Sequence, residues 1–258
     1  MDRYSRRGTV CLCLGVTLLC WQLLYSLLPT SFWTLFFSSP ARIFLDFFSH
    51  FTLYREHIWA TGRNVLSSLL LSLFFLPFFC WLLSRYILFR SLFSLFYVWT
   101  QNLPLFVFAP LMLLLFDWSP MATLLPTTWI IFLPLLSHTY KAWSDTPQVL
   151  LDFFWIHNAS KWKEIYFLRL PWIIPHLFHG LRLASVMSVA ATLSCELGGA
   201  QSGLGVLLYQ SRREICFEGV WATLFLIFFL SLSLYETISI IEWIFFRKYK
   251  QQRFDIVD

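Results

Sequence analysis

The sequence predicts an all-α protein, a polytopic bundle of about six transmembrane helices, and three observations predict it. Charge is scarce: 13% of the 258 residues are charged and 58% are hydrophobic, against roughly 25% charged residues in a soluble domain. Residues 8–41, 64–84, 91–116 and 118–140 contain no Asp, Glu, Lys or Arg, and each stretch supplies the roughly 20 residues a helix needs to cross about 30 Å of hydrocarbon. The apolar runs also fail to alternate. Leu69-Leu70-Leu71 and Phe74-Phe75-Leu76 would put apolar groups on both faces of a strand, whereas a membrane barrel alternates apolar and polar positions.

The expected spans are residues 8–28, 63–83, 87–116, 121–141, 171–197 and 219–246, forming one domain over 1–258. The first follows Arg3, Arg6 and Arg7, which also describes a secretory signal. Its apolar run is longer than the usual 7–15 residues and no small-x-small cleavage site follows, so it reads as an uncleaved span. Residues 29–62 are mixed and aromatic, with room for a short interfacial helix. Pro77, Pro104, Pro110, Pro126, Pro134 and Pro175 fall inside spans, where neighbouring helices re-satisfy the freed carbonyls. Arg182 interrupts the fifth span and Glu196 ends it, so that span is expected to face protein. The loop after it begins Gly198-Gly199-Ala200-Gln201-Ser202-Gly203-Leu204-Gly205. Four glycines in eight residues predict a sharp turn or dip.

Orientation follows from the basic residues. Thirteen of the nineteen Lys and Arg fall on the side of the two termini and the 142–170 loop. Arg42, Arg55, Arg63, Arg212 and Arg213 fall on the other, and Arg182 lies within the membrane. Both termini and that loop are expected in the cytosol. Basic residues at span ends are a topology signal, so no nucleic-acid partner is expected. Cys11, Cys13, Cys20, Cys80, Cys195 and Cys216 form no C-x-x-C pair, and read as inert thiols rather than metal ligands or disulfides.

The 142–170 loop is the elaborate part. Thr146-Pro147 is expected to start a helix, with the threonine capping and proline at the first helical position. Val149, Leu150, Phe153 and Phe154 lie near one face, and Trp155 and Ile156 widen it. Asn158 tolerates the left-handed angles of a helix terminus, Ser160 is a second cap for Lys161 to Arg169, and Pro171 begins the next span. By itself this pattern describes equally an amphipathic segment on the membrane surface and a knob that docks a protein.

The layout resembles the inner-membrane permeases of binding-protein-dependent ABC importers, in particular the nitrate, sulfonate, taurine and thiamine-pyrimidine group. Asp152-Phe153-Phe154 stands where that family has Glu-Ala-Ala, Asn158 where it has glycine, and Leu170-Pro171 at its closing Leu-Pro. Ala159-Ser160-Lys161-Trp162 matches its usual Ala-Ser-Arg/Lys-Trp. Ser39-Pro40, Asn102-Leu103-Pro104-Leu105, Gly180-Leu181-Arg182, Cys195-Glu196-Leu197 and Ser202-Gly203-Leu204-Gly205 match further family motifs in order over residues 36–250. The resemblance implies the type I importer permease fold and a membrane homodimer in the bacterial inner membrane, in contact with lipid. It implies a small polar or anionic nutrient as solute, cytosolic ABC ATPase subunits as partners, and an external or periplasmic solute-binding protein. It assigns ATPase docking to Asp152, Phe153, Phe154, Asn158, Ala159, Ser160 and Trp162. Phenylalanines in place of the two small alanines make that docking partner-specific.

No G-x-x-x-x-G-K-[ST] loop is present. The chain is therefore expected to be no enzyme and to carry no cofactor, ATP being bound by the partner. Arg182, Glu196, Gly203 and Gly205 are the pore or subunit-contact candidates. Arg182 and Glu196 share a helix face but stand about 21 Å apart along the axis, too far to pair. Arg182 is expected to contact another helix or subunit, or else an anionic solute, Glu196 to anchor or gate the external loop, and Glu236 and Glu242 to pair with basic residues. Two other classes compete with this reading. A secondary transporter would bring its own coupling-ion site and commonly inverted repeats. A lipid-modifying enzyme would cluster Asp, Glu or His at the membrane face, but His138, His157, His176 and His179 are scattered along the chain and only His176 and His179 share a helix face.

Overall fold

A chain in lipid must satisfy its backbone N–H and C=O groups internally, and among the described residues it does so entirely as helices and turns. The computed structural model describes residues 20–23, 25–26, 38–102, 111–112, 114–117 and 119–254. We label its helices α1 (Pro40–Ser49), α2 (Phe51–Arg85), α3 (Ile87–Asn102), α4 (Met121–Ser144), α5 (Gln148–Ile156), α6 (Lys161–Leu197), α7 (Leu204–Arg213) and α8 (Phe217–Phe254). Residues 20–23, 25–26, 111–112 and 114–115 are also helical. Among the described residues, four helices are long and apolar enough to cross a membrane: α2, α4, α6 and Phe217–Arg247 of α8. Most of the expected 8–28 span and residues 103–110 and 113 of the expected 87–116 span lie outside the described residues.

Two of the long rods extend beyond the expected bounds, each for a physical reason. The room for an interfacial helix is taken by α1, whose N-cap Ser39 accepts from Arg42 N at 3.2 Å, with Pro40 at the first position. The chain then turns at His50 and α2 begins at once. The helix carrying the expected 63–83 span therefore starts already at Phe51, with Arg55, Glu56 and Arg63 exposed along it. The second extension is at Pro171, which stands in the first turn of the α-helix Leu170–Leu197 as expected, but no break separates that helix from the residues before it. Lys161 to Leu197 is one rod of 37 residues, about 55 Å long. Proline lacks the N–H for Phe167 O, and its ring crowds that carbonyl. The rod meets this with a single wide turn, Ile165–Arg169, in which the Leu170 N–H donates five residues back to Ile165 O. Such π turns inside α-helices occur frequently at functional sites.

The rods alternate in direction. One end, the mouth, gathers the starts of α2, α4 and α8, the end of α6, and α7. The opposite end carries the 142–170 stalk. Helix α6 is central, packing most extensively on α4 and then on α8, α7 and α2. Leu76, Leu83, Phe132, Leu135 and Leu136 form one core cluster, and Val65, Leu69, Ile131, Ala184 and Val189 another. Lipid is as apolar as leucine, so hydrophobic burial does little to bring these helices together. Close packing by small residues does. Thr61, Ser68, Ser72, Thr127, Ser185, Ser188 and Thr192 are all fully buried, and most satisfy their hydroxyls on carbonyls three or four residues back, as Ser68 does on Val65 O and Thr127 on Thr123 O. The lipid-facing surfaces carry large apolar side chains such as Leu70 and Phe74.

Gly180 lets α4 and α6 approach closely. A Cβ there would lie 3.1 Å from Leu135 Cδ1 and 3.4 Å from His138 Cβ. Gly180→Val is expected to wedge the two helices apart and destabilise the fold by about 1–3 kcal/mol, read as a lowered thermal unfolding midpoint in detergent. Gly180→Ala should cost much less.

Candidate functional site

Two polar assemblies sit at opposite ends of α6. At the cytosol-predicted end, α5 hangs between two turns and buries none of its residues. Its start departs from expectation. Pro147 is the N-cap, not the first helical residue, and Thr146 does not cap; its hydroxyl donates back to Trp143 O at 3.0 Å. The end of α5 is closed by Asn158, at φ 51°. Asn158 N–H donates to Trp155 O and Ala159 N–H to Phe154 O, both at 3.0 Å, the paired bonds of a Schellman motif. Asparagine tolerates the left-handed angles this position requires. Ser160 then caps the base of α6 by accepting from Lys163 N at 3.4 Å.

The candidate docking residues divide by exposure. Asp152, Phe153, Asn158, Ser160 and Trp162 are exposed, while Phe154 and Ala159 are half-buried. Phe153 stacks on the His157 ring at 4.2 Å, and Gln148 donates to the Asp152 carboxylate at 3.3 Å. Val149, Trp155 and Ile156 are 79%, 80% and 68% exposed, more than Phe153. They add to the knob's exposed apolar surface, Trp155 and Ile156 from positions that only widen the predicted face.

At the mouth, Glu196 is 1% exposed and holds the glycine loop. Thr61 of α2 donates its hydroxyl to Glu196 Oε1 at 2.8 Å, and Gly205 N–H donates to Oε2 at 2.8 Å. The Leu204 N–H donates to Thr61 Oγ1 at 2.7 Å. The first two backbone donors of α7, which have no partner within the helix, are thereby satisfied by α2 and α6, and an acidic group at that N-terminus is favoured by the helix dipole. His57 Nδ1 lies 2.8 Å from Gly203 O and 3.1 Å from Gly203 N. Gly203 adopts φ +130°, and a Cβ on it would fall onto the Glu196 carboxyl group. One on Gly205 would lie 2.7 Å from Glu196 Cβ and 2.9 Å from Leu193 O. Both glycines are required by this close approach.

Arg182 does not reach Glu196. Its NH1 pairs with Glu242 Oε2 of α8 at 2.9 Å, both side chains half-buried. The structure also brings together histidines that look scattered in the chain: His138 of α4 and His179 of α6 meet edge to face at 5.6 Å. Glu242 pairs with a basic residue, as expected, whereas His57 and Thr61 escaped the sequence reading as partners. Their only signals were an intramembrane glutamate and threonine, with nothing in the chain order to pair them.

Comparison with known proteins agrees with this layout. Residues 78–244 match the family model of the binding-protein-dependent transport system inner membrane component. A probable ABC transporter permease protein of Haemophilus influenzae is 28% identical over 236 residues, covering 92% of this chain and 94% of the relative. A riboflavin transport system permease protein of Chloroflexus aurantiacus is 26% identical over 143 residues, 55% of this chain and 53% of the relative. A formylaminopyrimidine transport permease protein of Halalkalibacterium halodurans is 27% identical over 143 residues, 55% and 57% respectively.

Proposed function

The chain belongs to the family of binding-protein-dependent transport system inner membrane components, and from that premise we propose that it forms the path for a small polar or anionic nutrient and takes its motion from a separate ATPase gripping α5. The coarser statements follow from membership itself. The chain is a multi-pass permease subunit of an ABC importer, working with an ATPase and a solute-binding protein, and is not an enzyme.

The observation that carries the finer reading is the continuity of α6. The same rod that starts under the exposed knob ends at Glu196, which holds α7 and the glycine loop. A pull on α5 reaches the mouth along one unbroken run of helix, suited to the rigid-body motion that alternating access needs. Two copies pair in the membrane, with both termini and the knob in the cytosol in line with the basic-residue bias, and ATP is bound by the partner. The relatives named for riboflavin and formylaminopyrimidine both concern nitrogen-ring solutes, which favours a heteroaromatic nutrient within the proposed class.

The test is recovery of the ATPase with the purified chain. Asp152→Lys, Phe153→Lys and Trp155→Lys each place a charge on the exposed knob and disturb no buried contact. Co-purifying ATPase is expected to fall at least about tenfold, the loss that follows when a hot-spot contact is removed, with the amount of folded chain unchanged. Undiminished ATPase recovery in all three variants would overturn the docking assignment.

A further inference from the structure

The base of the stalk is closed by one side chain. Arg169, at the end of the π turn, donates from Nε to Glu164 Oε1 at 2.7 Å and from NH1 to Trp143 O at 3.4 Å. Its guanidinium carbon lies 4.6 Å from the centroid of the Trp143 ring. Trp143 is the penultimate residue of α4, so its carbonyl has no partner within that helix, and a cation is favoured at this end of the dipole. Thr146 donates to the same carbonyl. Both ends of the stalk thus converge on Trp143, although the stalk's own helix is unpacked.

The clamp and the π turn are one device. In a straight α-helix, residues five apart are separated by 500°, which leaves them about 140° from a common face. Glu164 and Arg169 are five apart, and they pair because the turn between them is widened to Leu170 N–H···O=C Ile165. Pro171 forces that widening by withholding its N–H from Phe167 O. The proline therefore sets the register that aims Arg169 at Trp143.

We infer that Arg169 is a positioning residue for energy coupling: it stiffens the base of the stalk, so that movement of α5 drives α4 and α6 rather than bending the loop. This rests on the permease reading above. An arginine suits the role because its planar group forks to carboxylate and carbonyl while stacking on the indole. Lysine retains the charge and loses the fork.

The experiment uses the complete transporter, with its ATPase and binding protein, in lipid nanodiscs. Each permease chain carries one spin label at the exposed mouth residue Tyr209 in a background with the native cysteines replaced. ATP with orthovanadate is the probe, and the readouts are ATPase recovery, ATP hydrolysis and the label-to-label distance change. The wild-type mouth is expected to respond. Arg169→Met should keep the ATPase bound and hydrolysing while the mouth response falls at least tenfold, and Arg169→Lys should recover part of it. Pro171→Ala, which leaves the arginine in place but releases the register, should show the same loss as Arg169→Met. A thiol-cleavable cross-link between Trp143→Cys and Arg169→Cys should restore the response until it is cleaved.

A normal mouth response in Arg169→Met, loss of the ATPase from it, or failure of the cross-link to restore the response would each overturn the inference. A wild-type chain that recovers no ATPase would instead sink the permease reading, and this inference with it.

Discussion

Replacing Gly203 by alanine is expected to abolish the mouth assembly and cost the folded chain about 3 kcal/mol or more. Two independent penalties meet at this residue. Its φ of +130° is a backbone region left almost entirely to glycine, and the added methyl would occupy the space of the buried Glu196 carboxyl group. Neither partner can give way cheaply. The carboxyl is held by Thr61 and Gly205, and Gly203 is itself pinned by His57. Glu196→Gln should be milder, about 1–2 kcal/mol, because the amide keeps the shape and one acceptor but turns a donor toward groups that themselves donate. Gly62 supplies the control. A Cβ there meets nothing within 4 Å, and alanine in a helix interior is favoured over glycine by about 1 kcal/mol, so Gly62→Ala should be neutral or stabilising. Thermal unfolding of the three purified variants in detergent checks the ordering. Equal behaviour of Gly203→Ala and Gly62→Ala would refute the anchor.

Breaking the ion pair inside the membrane should be nearly as costly. Glu242→Ala leaves Arg182 unpaired between α6 and α8, and Arg182→Ala leaves Glu242 unpaired. Each single change is expected to destabilise by about 3–5 kcal/mol, because removal of one partner strands the other charge away from water. The exchanged pair Arg182→Glu with Glu242→Arg restores opposite charges across the 2.9 Å contact and should recover more than half of either loss. That recovery separates pairing from a requirement for arginine itself at residue 182, for instance as a contact for an anionic solute. Singles that match the wild type in unfolding midpoint would show that water or lipid headgroups already compensate these charges.

Much of the stalk was legible because its signals are local. Asn158 closes a helix and Ser160 opens one through bonds to residues at most five away, and short-range geometry depends on the residue types in a short window. The misreading at Thr146, and the boundary expected at Pro171 that the rod runs through, arose where one local rule competed with another. Trp143 O took the Thr146 hydroxyl, and one wide turn let a helix run through a proline that would ordinarily mark a boundary.

Chain order alone determined that this is a bundle of membrane helices, which end carries the stalk, and which glycines and intramembrane charges stand out, since hydropathy, proline, glycine and basic residues act through composition and near neighbours. Only the tertiary structure decided the pairings: Glu196 with Thr61, 135 residues away, Arg182 with Glu242, His138 beside His179, and Arg169 upon Trp143. The reason is the solvent. In water an apolar stripe tells which face of a helix turns inward, but helices in lipid are apolar on both faces. The rotation that selects each polar partner is therefore set by how small residues such as Gly180 let the rods close on one another.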